Sequence, residues 1–383
     1  MPQFSDETAV MRRALELAQQ GVGFVEPNPP VGAVIVDDDL NLLGEGYHEK
    51  FGGPHAEVHA LEQAGDAARG ATLFVTLEPC CHEGKTPPCS QAVIQAGLKR
   101  VVVAIGDPAE YVNGGGIREL REAGLHVETG LLEREASQLA APFIKLLTTG
   151  MPFVHAKWAM TLDGKLASRA QHSQWISNEL SRKKVHELRG RMDAIIVGAM
   201  TARLDDPLLT ARPPGPRVAT RIVIDRDLKL SPSCQLLKTA TDVPVLIATS
   251  QEAIESEGKL YQTLGAELLP LPFVDVGQKY LDVKELLQEL GRRKMTNVLI
   301  EGGGSLLGHF FDQKLIDAAH VFLAPKLLGG FSAVTPVGGG GLEHVPQVDQ
   351  FVDYQTEELD GDVYCHGMLE TKWWRAYREG VMD

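Results

Sequence analysis

Short apolar segments rich in β-branched residues alternate with helical segments through the first part of this 383-residue chain. Continuous apolar runs of this length are typical of strands that are buried on both faces. We predict strands at Val31–Val36, Thr72–Leu77 and Arg100–Ile105, and helices from about Ser5 to Gln20 with Ser5 as the N-cap, at Ala56–Ala64 and at Ser90–Ala96. Strands that alternate with helices indicate an α/β layered domain.

A second α/β series follows a break near Thr148–Pro152. Its predicted strands lie near Pro152–Met160, Ala194–Val197, Arg221–Asp225, Val245–Ala248, Asn297–Glu301 and His320–Leu323. Glycine then clusters twice, at Gly302–Gly304 and at Gly338–Gly341. The two series look different, so we expect two unlike domains, residues 1–148 and residues 150–383.

The composition restricts the partners and the compartment. The formal charge of −14 disfavours binding to nucleic-acid backbones, although a local basic pocket remains compatible with a small anionic substrate. Five cysteines are few for the length and odd in number, which favours a reducing cytoplasm over a disulfide framework. We read no signal peptide at the N-terminus and no apolar run long enough to span a membrane.

One histidine, two cysteines and one glutamate carry the clearest chemistry in the first half. His55, Cys80 and Cys89 supply one nitrogen and two sulfur ligands, which is a set that zinc binds tetrahedrally with water in the fourth position. Glu57 is not needed as a ligand and can move protons to and from that water. This pattern is typical of zinc-dependent nucleobase deaminases. Both ligand segments are expected to open helices, whose N-termini favour thiolates.

These residues allow two other interpretations. His55 and His59 lie four positions apart on one predicted helix and could face a metal together, but that arrangement would leave Cys80 and Cys89 without a role. A purely structural zinc module is the other reading. Glu57 argues against it, because a structural site has no use for a carboxylate kept off the metal.

Motifs in both halves resemble one known family. The segments that carry the resemblance are Pro27–Gly32, Gly46–His48, Pro79–Cys89, Lys157–Lys165, Ser173–Ile176, Asp205–Thr210, Glu301–Ser305 and Ala324–Gly329. In this order they closely resemble the bifunctional riboflavin-biosynthesis deaminase–reductases, over nearly the whole chain. The resemblance implies an α/β fold with an N-terminal cytidine-deaminase-like three-layer domain, followed by a dihydrofolate-reductase-like α/β domain.

The resemblance also implies two reactions on a phosphorylated pyrimidine. The first domain would deaminate diaminohydroxyphosphoribosylaminopyrimidine with one zinc ion, and the second would reduce the ribosyl side chain to ribityl with NADPH. Asn28, His48 and Glu57 would then face the pyrimidine in the first site. A homo-oligomer, dimer or tetramer, is expected as well.

Matched positions imply the residues of the second site. Lys157 is placed near the ribose and is our candidate catalytic residue there. Substrate contacts are implied for Ser173, Arg189, Leu209, Arg212 and Glu301. Cofactor contacts are implied for Ala159, Trp175, Thr201, Asp205 and the turn formed by Gly303, Gly304, Ser305, Leu306, Leu307, Gly308 and His309. General chemistry supports these roles. A glycine turn lets backbone N–H groups approach a pyrophosphate, and the guanidinium groups of Arg189 and Arg212 can each donate two hydrogen bonds to a phosphate.

Three positions depart from the family pattern. Ala109 stands where an asparagine is usual, with Asn113 as a candidate to compensate, Cys81 replaces a common serine, and Gln171 stands where glycine is frequent. The first departure leaves open a weaker or repositioned deaminase substrate. A rival function, deamination of bases in nucleic acid, would need a basic groove with stacking aromatics. The charge of −14 and the aromatic content of 6% do not favour it.

Overall fold

The computed structural model describes residues 2–82, 88–109, 114–274, 280–348 and 350–381. The chain divides into two compact units, Met1–Thr148 and Thr149–Asp383, and each is described by itself. Within the described ranges, no helix is both long and apolar enough to cross a bilayer.

Unit 1 is built on a five-stranded sheet covered by helices. Its strands are β1 (Gly32–Val36), β2 (Leu42–Tyr47), β3 (Thr72–Leu77), β4 (Arg100–Ile105) and β5 (His126–Thr129), and its helices are α1 (Glu7–Gln20), α2 (Ala56–Ala64), α3 (Cys89–Gln95), α4 (Gly115–Glu122) and α5 (Glu133–Thr149). The strand order is β2-β1-β3-β4-β5, and β1 runs antiparallel to both of its neighbours. The pairs β3–β4 and β4–β5 are parallel. The three strands predicted for this half are confirmed.

Local contacts determine where helix α1 begins and how closely helix α2 packs on the sheet. Asp6, and not the predicted Ser5, is the N-cap of α1, and its carboxylate accepts a hydrogen bond from the Ala9 amide at 2.8 Å. Helix α2 lies directly on β2, where a Cβ added to Gly46 would come within 2.9 Å of the Ala56 carbonyl oxygen. Glycine at position 46 therefore lets the helix that begins after His55 approach the sheet closely.

Unit 2 contains a nine-stranded sheet. Its strands are β6 (Phe153–Thr161), β7 (Ala194–Gly198), β8 (Thr220–Ile224), β9 (Val245–Thr249), β10 (Glu267–Pro270), β11 (Asn297–Glu301), β12 (Ala318–Ala324), β13 (Phe351–Leu359) and β14 (Asp362–Leu369). The helices are α6 (Glu179–Arg189), α7 (Ala199–Asp205), α8 (Gln235–Lys238), α9 (Gln251–Thr263), α10 (Val283–Arg292), α11 (Gly304–Asp312) and α12 (Lys372–Glu379). All six strands predicted for this half are confirmed, and β10, β13 and β14 were not predicted.

The order of this sheet brings the ends of distant strands together. It runs β10-β9-β8-β7-β11-β6-β12-β14-β13, and all pairs are parallel except β12–β14 and β14–β13. Side chains alternate between two hydrophobic cores, so that Ile196 belongs to one core and its neighbour Ile195 to the other. The parallel strands β7, β11 and β6 end side by side, and ligands of open α/β sheets bind at such carboxyl ends.

Candidate active sites

The first candidate site is a cavity of about 250 Å³ in unit 1. Of the residues predicted for this site, Asn28, His48, His55, Glu57 and Cys80 line it. His55 is the N-cap of α2, Cys80 follows β3, and Cys89 is the first residue of α3. One of the two expected helix starts is therefore displaced, because the helix of the cysteine segment begins at Cys89 and not at Cys80.

The three predicted ligands converge at this site, where His55 and Cys80 line the cavity and Cys89 is buried beside them. The Nδ1 atom of His55 lies 3.3 Å from Cys89 Sγ and 3.6 Å from Cys80 Sγ. Within the described residues these three side chains form the one group whose ligand atoms all lie close enough to share a metal ion, within 4.8 Å of one another. His59 is not part of it and contacts Gly46 instead. The donor set, one imidazole and two thiols, is the set that zinc prefers.

The two thiols perturb each other strongly. A hydrogen bond from Cys89, supported by one from His55, lowers the pKa of Cys80 and favours its thiolate form. The neighbouring Cys80 sulfur and burial raise the pKa of Cys89. A second thiolate so close to the first is unfavourable unless a cation lies between them. The electrostatics of the site thus fit a bound divalent metal.

Glu57 lies beside this group without joining it. The side chain is only 3% exposed, and burial raises the pKa of its carboxyl group. Its Oε2 atom is buried and makes no hydrogen bond within the described residues. An acid with a raised pKa and one unsatisfied oxygen is suited to take up a proton and to release it.

His48 and Asn28 form the polar wall of the cavity. His48 Nδ1 lies 2.9 Å from the Pro54 carbonyl oxygen, which can only accept, so this nitrogen carries the proton. His48 Nε2 is then an acceptor and receives the Asn28 amide at 3.4 Å. Burial lowers the pKa of His48, which keeps the ring neutral. The pair presents fixed hydrogen-bonding groups to the cavity.

Sequence reasoning missed two carboxylates of this cavity, Glu78 and Asp107. Glu78 is 3% exposed and accepts hydrogen bonds from the backbone amides of Asp107, Gly114 and Ile117 at 3.1, 3.2 and 3.0 Å. Burial raises the pKa of Asp107 to about 6. A carboxylate directly after a buried strand was the available signal for Glu78. Of the noted departures, Ala109 is buried, whereas Asn113 lies outside the described residues.

The second candidate site is a cleft of about 1050 Å³ in unit 2. Nearly all residues predicted for this site line it: Lys157, Ala159, Ser173, Trp175, Arg189, Thr201, Asp205, Leu209, Arg212, Glu301, Gly303, Gly304, Ser305, Leu306 and His309. Two predicted residues do not. Leu307 is fully buried in the core, and Gly308 lies against Gly338.

A buried ion cluster lies on the floor of the cleft. The Arg189 guanidinium donates through Nε and Nη2 to the two oxygens of Glu301, at 2.5 and 2.9 Å, and Lys157 Nζ lies 3.8 Å from the same carboxylate. Burial would raise the pKa of Glu301, but Arg189 and Lys157 lower it to about 2. Burial lowers the pKa of Lys157, and Arg189 adds to this effect. Glu301 therefore accepts the paired N–H groups of Arg189 that we expected from the sequence to bind a phosphate.

Aromatic and acidic groups lie at the mouth of the cleft. Trp175 is 64% exposed, and the Arg182 guanidinium lies 4.7 Å from the centre of its ring. Lys326 donates to the carbonyl oxygens of Trp175 and Ile176, both at 2.7 Å, which fixes this segment. Burial raises the pKa of Asp205, which accepts a 3.4 Å hydrogen bond from Ser173.

The first glycine cluster opens a helix rather than a turn. Gly302 has a φ of +154°, and Gly303 is the N-cap of α11. The Gly303 amide donates to Thr201 Oγ1 at 3.3 Å, so the helix start is tied to α7. Because a helix presents only one face to the cleft, residues such as Leu307 point into the core instead.

Sequence reasoning also missed His186. It lines the cleft one helical turn before Arg189 on α6, and burial lowers its pKa, as do Arg189 and Arg212. The spacing of three residues to Arg189 was the available signal, because residues three apart lie on one helix face.

Comparison with known proteins agrees with both sites. The family model of the cytidine and deoxycytidylate deaminase zinc-binding region matches residues 4–105, and that of the RibD C-terminal domain matches residues 152–363. The riboflavin biosynthesis protein RibD of Actinobacillus pleuropneumoniae is 40% identical over 92% of this chain and 93% of its own length. The chain belongs to the RibD family. It is a bifunctional deaminase–reductase of riboflavin biosynthesis.

Solved structures show the same likeness over both units. RibD of Acinetobacter baumannii is 36% identical with a TM-score of 0.81 and covers 95% of this chain and 99% of its own. A diaminohydroxyphosphoribosylaminopyrimidine deaminase/5-amino-6-(5-phosphoribosylamino)uracil reductase of Thermotoga maritima is 36% identical with a TM-score of 0.80, over 94% of this chain and 98% of its own. The predicted fold, a cytidine-deaminase-like domain followed by a dihydrofolate-reductase-like domain, is confirmed.

Proposed function

We propose that the chain deaminates diaminohydroxyphosphoribosylaminopyrimidine in unit 1 and reduces the resulting 5-amino-6-(5-phosphoribosylamino)uracil with NADPH in unit 2. The observation that carries the proposal is the convergence of His55, Cys80 and Cys89 beside a buried carboxylate that stays off the group. The likeness to the Thermotoga maritima deaminase/reductase supports the choice of substrates. The domain limits that go with it are residues 1–148 and 150–383.

His55, Cys80 and Cys89 would hold one zinc ion per chain, and their donor atoms suit it. Zinc supplies a Lewis acid that makes water nucleophilic at neutral pH. Glu57 takes up a proton at its unsatisfied Oε2 atom and returns it to the departing amine, for which its raised pKa suits it. The neutral ring of His48 and the amide of Asn28 orient the pyrimidine.

The cleft of unit 2 would hold NADPH together with the substrate. A dinucleotide fits the backbone N–H groups of Gly304 and Ser305 at the start of α11, because the segment Gly303–Ser305 has no bulky side chains in the way. Leu306 and His309 continue this cofactor segment in the proposal, and Ala159, Trp175, Thr201 and Asp205 surround it. Leu307 and Gly308 face away from the cleft and are left out. NADPH supplies the hydride, and the residues of the chain bind, orient and exclude water.

Lys157 and Glu301 form the reactive end of this cleft. The Lys157 ammonium donates to the sugar oxygens or to charge that develops there, and Glu301 and Asp205 accept hydrogen bonds from hydroxyl groups. Arg189 acts through Glu301, whose carboxylate it fixes with two hydrogen bonds. Arg212 is bonded to Thr210 Oγ1 at 2.9 Å and is the freer cation for the substrate phosphate. Ser173 and Leu209 complete the proposed substrate contacts.

The proposal is tested by the products. The protein is incubated with diaminohydroxyphosphoribosylaminopyrimidine, with and without NADPH, and the masses of the products are measured by mass spectrometry. We expect exchange of one amino group for a carbonyl oxygen in both samples, and the addition of two hydrogens only with NADPH. Unchanged substrate in the presence of zinc and NADPH would refute the proposal. Binding of single-stranded RNA to a filter would favour the nucleic-acid rival instead.

Assembly and compartment belong to the same proposal. A homo-oligomer, dimer or tetramer, agrees with the large apolar side chains that unit 2 exposes, among them Leu327 and Phe331. Sedimentation equilibrium of the purified chain measures the number of copies, and a monomer at all concentrations would refute it. A cytoplasmic location agrees with the five cysteines, which are all unpaired in the structure.

A further inference from the structure

The second glycine cluster, Gly338–Gly341, has no role in the proposed reactions. It lies in the long connection between β12 and β13. The stretch Val334–Gly341, named here the clamp, runs along helix α11, whose first turn faces the cleft. Its contacts with the helix extend from the first residue, Gly304, through Gly308 to the last residue, Asp312.

Along the first half of the helix, from Gly304 to Gly308, the clamp and the helix meet backbone to backbone. The Gly338 amide donates to the Gly304 carbonyl oxygen at 2.9 Å. A Cβ added to Gly304 would lie 2.3 Å from the Thr335 carbonyl oxygen, and one added to Gly308 would lie 2.2 Å from the Gly338 carbonyl carbon. Only glycine at these helix positions permits such an approach. This explains why Gly308, placed in the cofactor segment by resemblance, faces the clamp and not the cleft.

At the C-terminal end, one carboxylate joins the two segments. Asp312, the last residue of α11, accepts hydrogen bonds from the Gly340 amide at 2.7 Å and from the Gly341 amide at 3.0 Å. Each of its oxygens therefore serves one amide, and bonds to a charged acceptor are stronger than neutral ones. Gly339 and Gly341 have φ values of +84° and +69°, which allow the chain to wrap around the carboxylate.

The clamp is also tied to the other wall of the cleft. The Val334 carbonyl oxygen accepts a hydrogen bond from the Leu166 amide at 2.9 Å, and both residues line the cleft. Helix α11 has two glycines in its nine residues, so its own helical preference is weak. Contacts outside the helix must then supply much of what keeps its first turn in place.

We propose that Asp312 is a positioning residue for cofactor binding, because it locks the clamp onto α11. With the clamp in place, the amides of Gly304 and Ser305 are held in the direction in which a pyrophosphate would approach. The inference rests on the proposed function, since it takes the start of α11 as the NADPH site. Asp312 lies at the opposite end of the helix and acts only through it.

The test compares Asp312→Ala and Asp312→Asn with Glu343→Ala, which removes an exposed acid further along the same connection. All four tryptophans of the chain lie in unit 2, so quenching of their fluorescence measures the Kd for NADPH there. Hydrogen exchange of peptides that cover α11 is measured on the protein without cofactor. Reductase kcat is measured at saturating NADPH.

We expect Asp312→Ala to raise the Kd by about tenfold and to speed exchange in α11, with kcat changed less than about twofold. Asp312→Asn keeps one oxygen acceptor and should fall between wild type and alanine, while Glu343→Ala should match wild type. Wild-type Kd and wild-type exchange in Asp312→Ala would overturn the proposal, even if the variant unfolds at a lower temperature. Failure of the wild-type chain to bind NADPH would instead refute the cofactor assignment.

Discussion

Arg189 and Glu301 lie 112 positions apart in the chain and meet through two parallel hydrogen bonds at the floor of the reductase cleft. Their side chains are only 13% and 9% exposed. The pairing fixes both carboxylate oxygens and leaves Lys157 as the neighbouring cation, 3.8 Å away. The cluster carries one negative and two positive groups, so the floor of the cleft has a net positive charge that suits an anionic substrate.

The first prediction concerns the stability that this pair gives unit 2. Arg189→Met removes the main partner of a buried carboxylate and should lower the free energy of unfolding by roughly 3–5 kcal/mol. The double variant Arg189→Met with Glu301→Leu removes the stranded charge as well and should recover part of the loss. Urea unfolding followed by tryptophan fluorescence measures both. Equal losses in the single and the double variant would show that the stranded charge is not the cause.

The second prediction concerns Lys157 in the reduction. Lys157→Ala removes the side chain beyond Cβ, and with it the ammonium donor at the reactive end of the cleft. We expect reductase kcat/KM to fall by at least about tenfold, or ~1.4 kcal/mol of transition-state stabilisation. Steady-state NADPH oxidation with the deaminated substrate measures this, and deamination by the same protein is the internal control. Wild-type reduction kinetics would remove Lys157 from the active site.

The third prediction separates proton transfer from metal binding in unit 1. Glu57→Gln keeps the shape of the side chain but cannot hold a proton at Oε2, so deamination should fall by roughly 10²–10⁴-fold while zinc is retained. Cys89→Ser is the matched contrast, because it removes a ligand and should lose the zinc itself. Metal analysis of both proteins and NADPH oxidation with the deaminated substrate complete the experiment. Loss of zinc from Glu57→Gln would assign it a ligand role instead.

How far the sequence predicts this fold depends on burial. Strands such as β3 and β11 are buried along their whole length, and their central residues form apolar runs, which is why both strands were predicted. Strand β13 is an edge strand whose Tyr354–Glu358 segment is exposed and polar, which leaves no such run to recognise. The local signal for its pairing with β14 was the dipeptide Asp360–Gly361, which forms the two-residue turn of this hairpin with φ values of +49° and +88°.

The candidate sites divide in the same way. The metal ligands were predictable from residue type alone, because one histidine and two cysteines, His55, Cys80 and Cys89, supply the donor atoms that zinc prefers. The cluster of Arg189, Glu301 and Lys157 was not predictable. Glu301 comes close to Lys157 only because β11 pairs with β6 in a parallel register that places these two residues side by side. Leu307 and Gly308 show a third case, in which a glycine-rich segment expected to be a turn is a helix with only one face on the cleft.

The last prediction concerns pH and a buried histidine chain in unit 2. His320 Nε2 lies 3.0 Å from His155 Nδ1, and His320 Nδ1 lies 2.7 Å from the Tyr364 hydroxyl. Burial lowers the pKa of His320 well below its ordinary value of 6.5, and His155 and His366 add to this effect. The folded protein therefore keeps His320 neutral at a pH where the unfolded chain takes up a proton.

Linkage gives the sign of the effect. Above the ordinary pKa of 6.5, His320 is neutral in both the folded and the unfolded chain, and its contribution to the free energy of unfolding is fully present. Below that pH the unfolded chain takes up a proton, and the free energy of unfolding falls until the pH reaches the lowered pKa of the folded protein. The expected slope is at most about 1.4 kcal/mol per pH unit for this group. Urea unfolding followed by tryptophan fluorescence between about pH 7.5 and pH 5.5 measures it. His320→Gln should flatten the slope and the exposed His344→Gln should not, and equal slopes in all three proteins would assign the acid sensitivity to other groups.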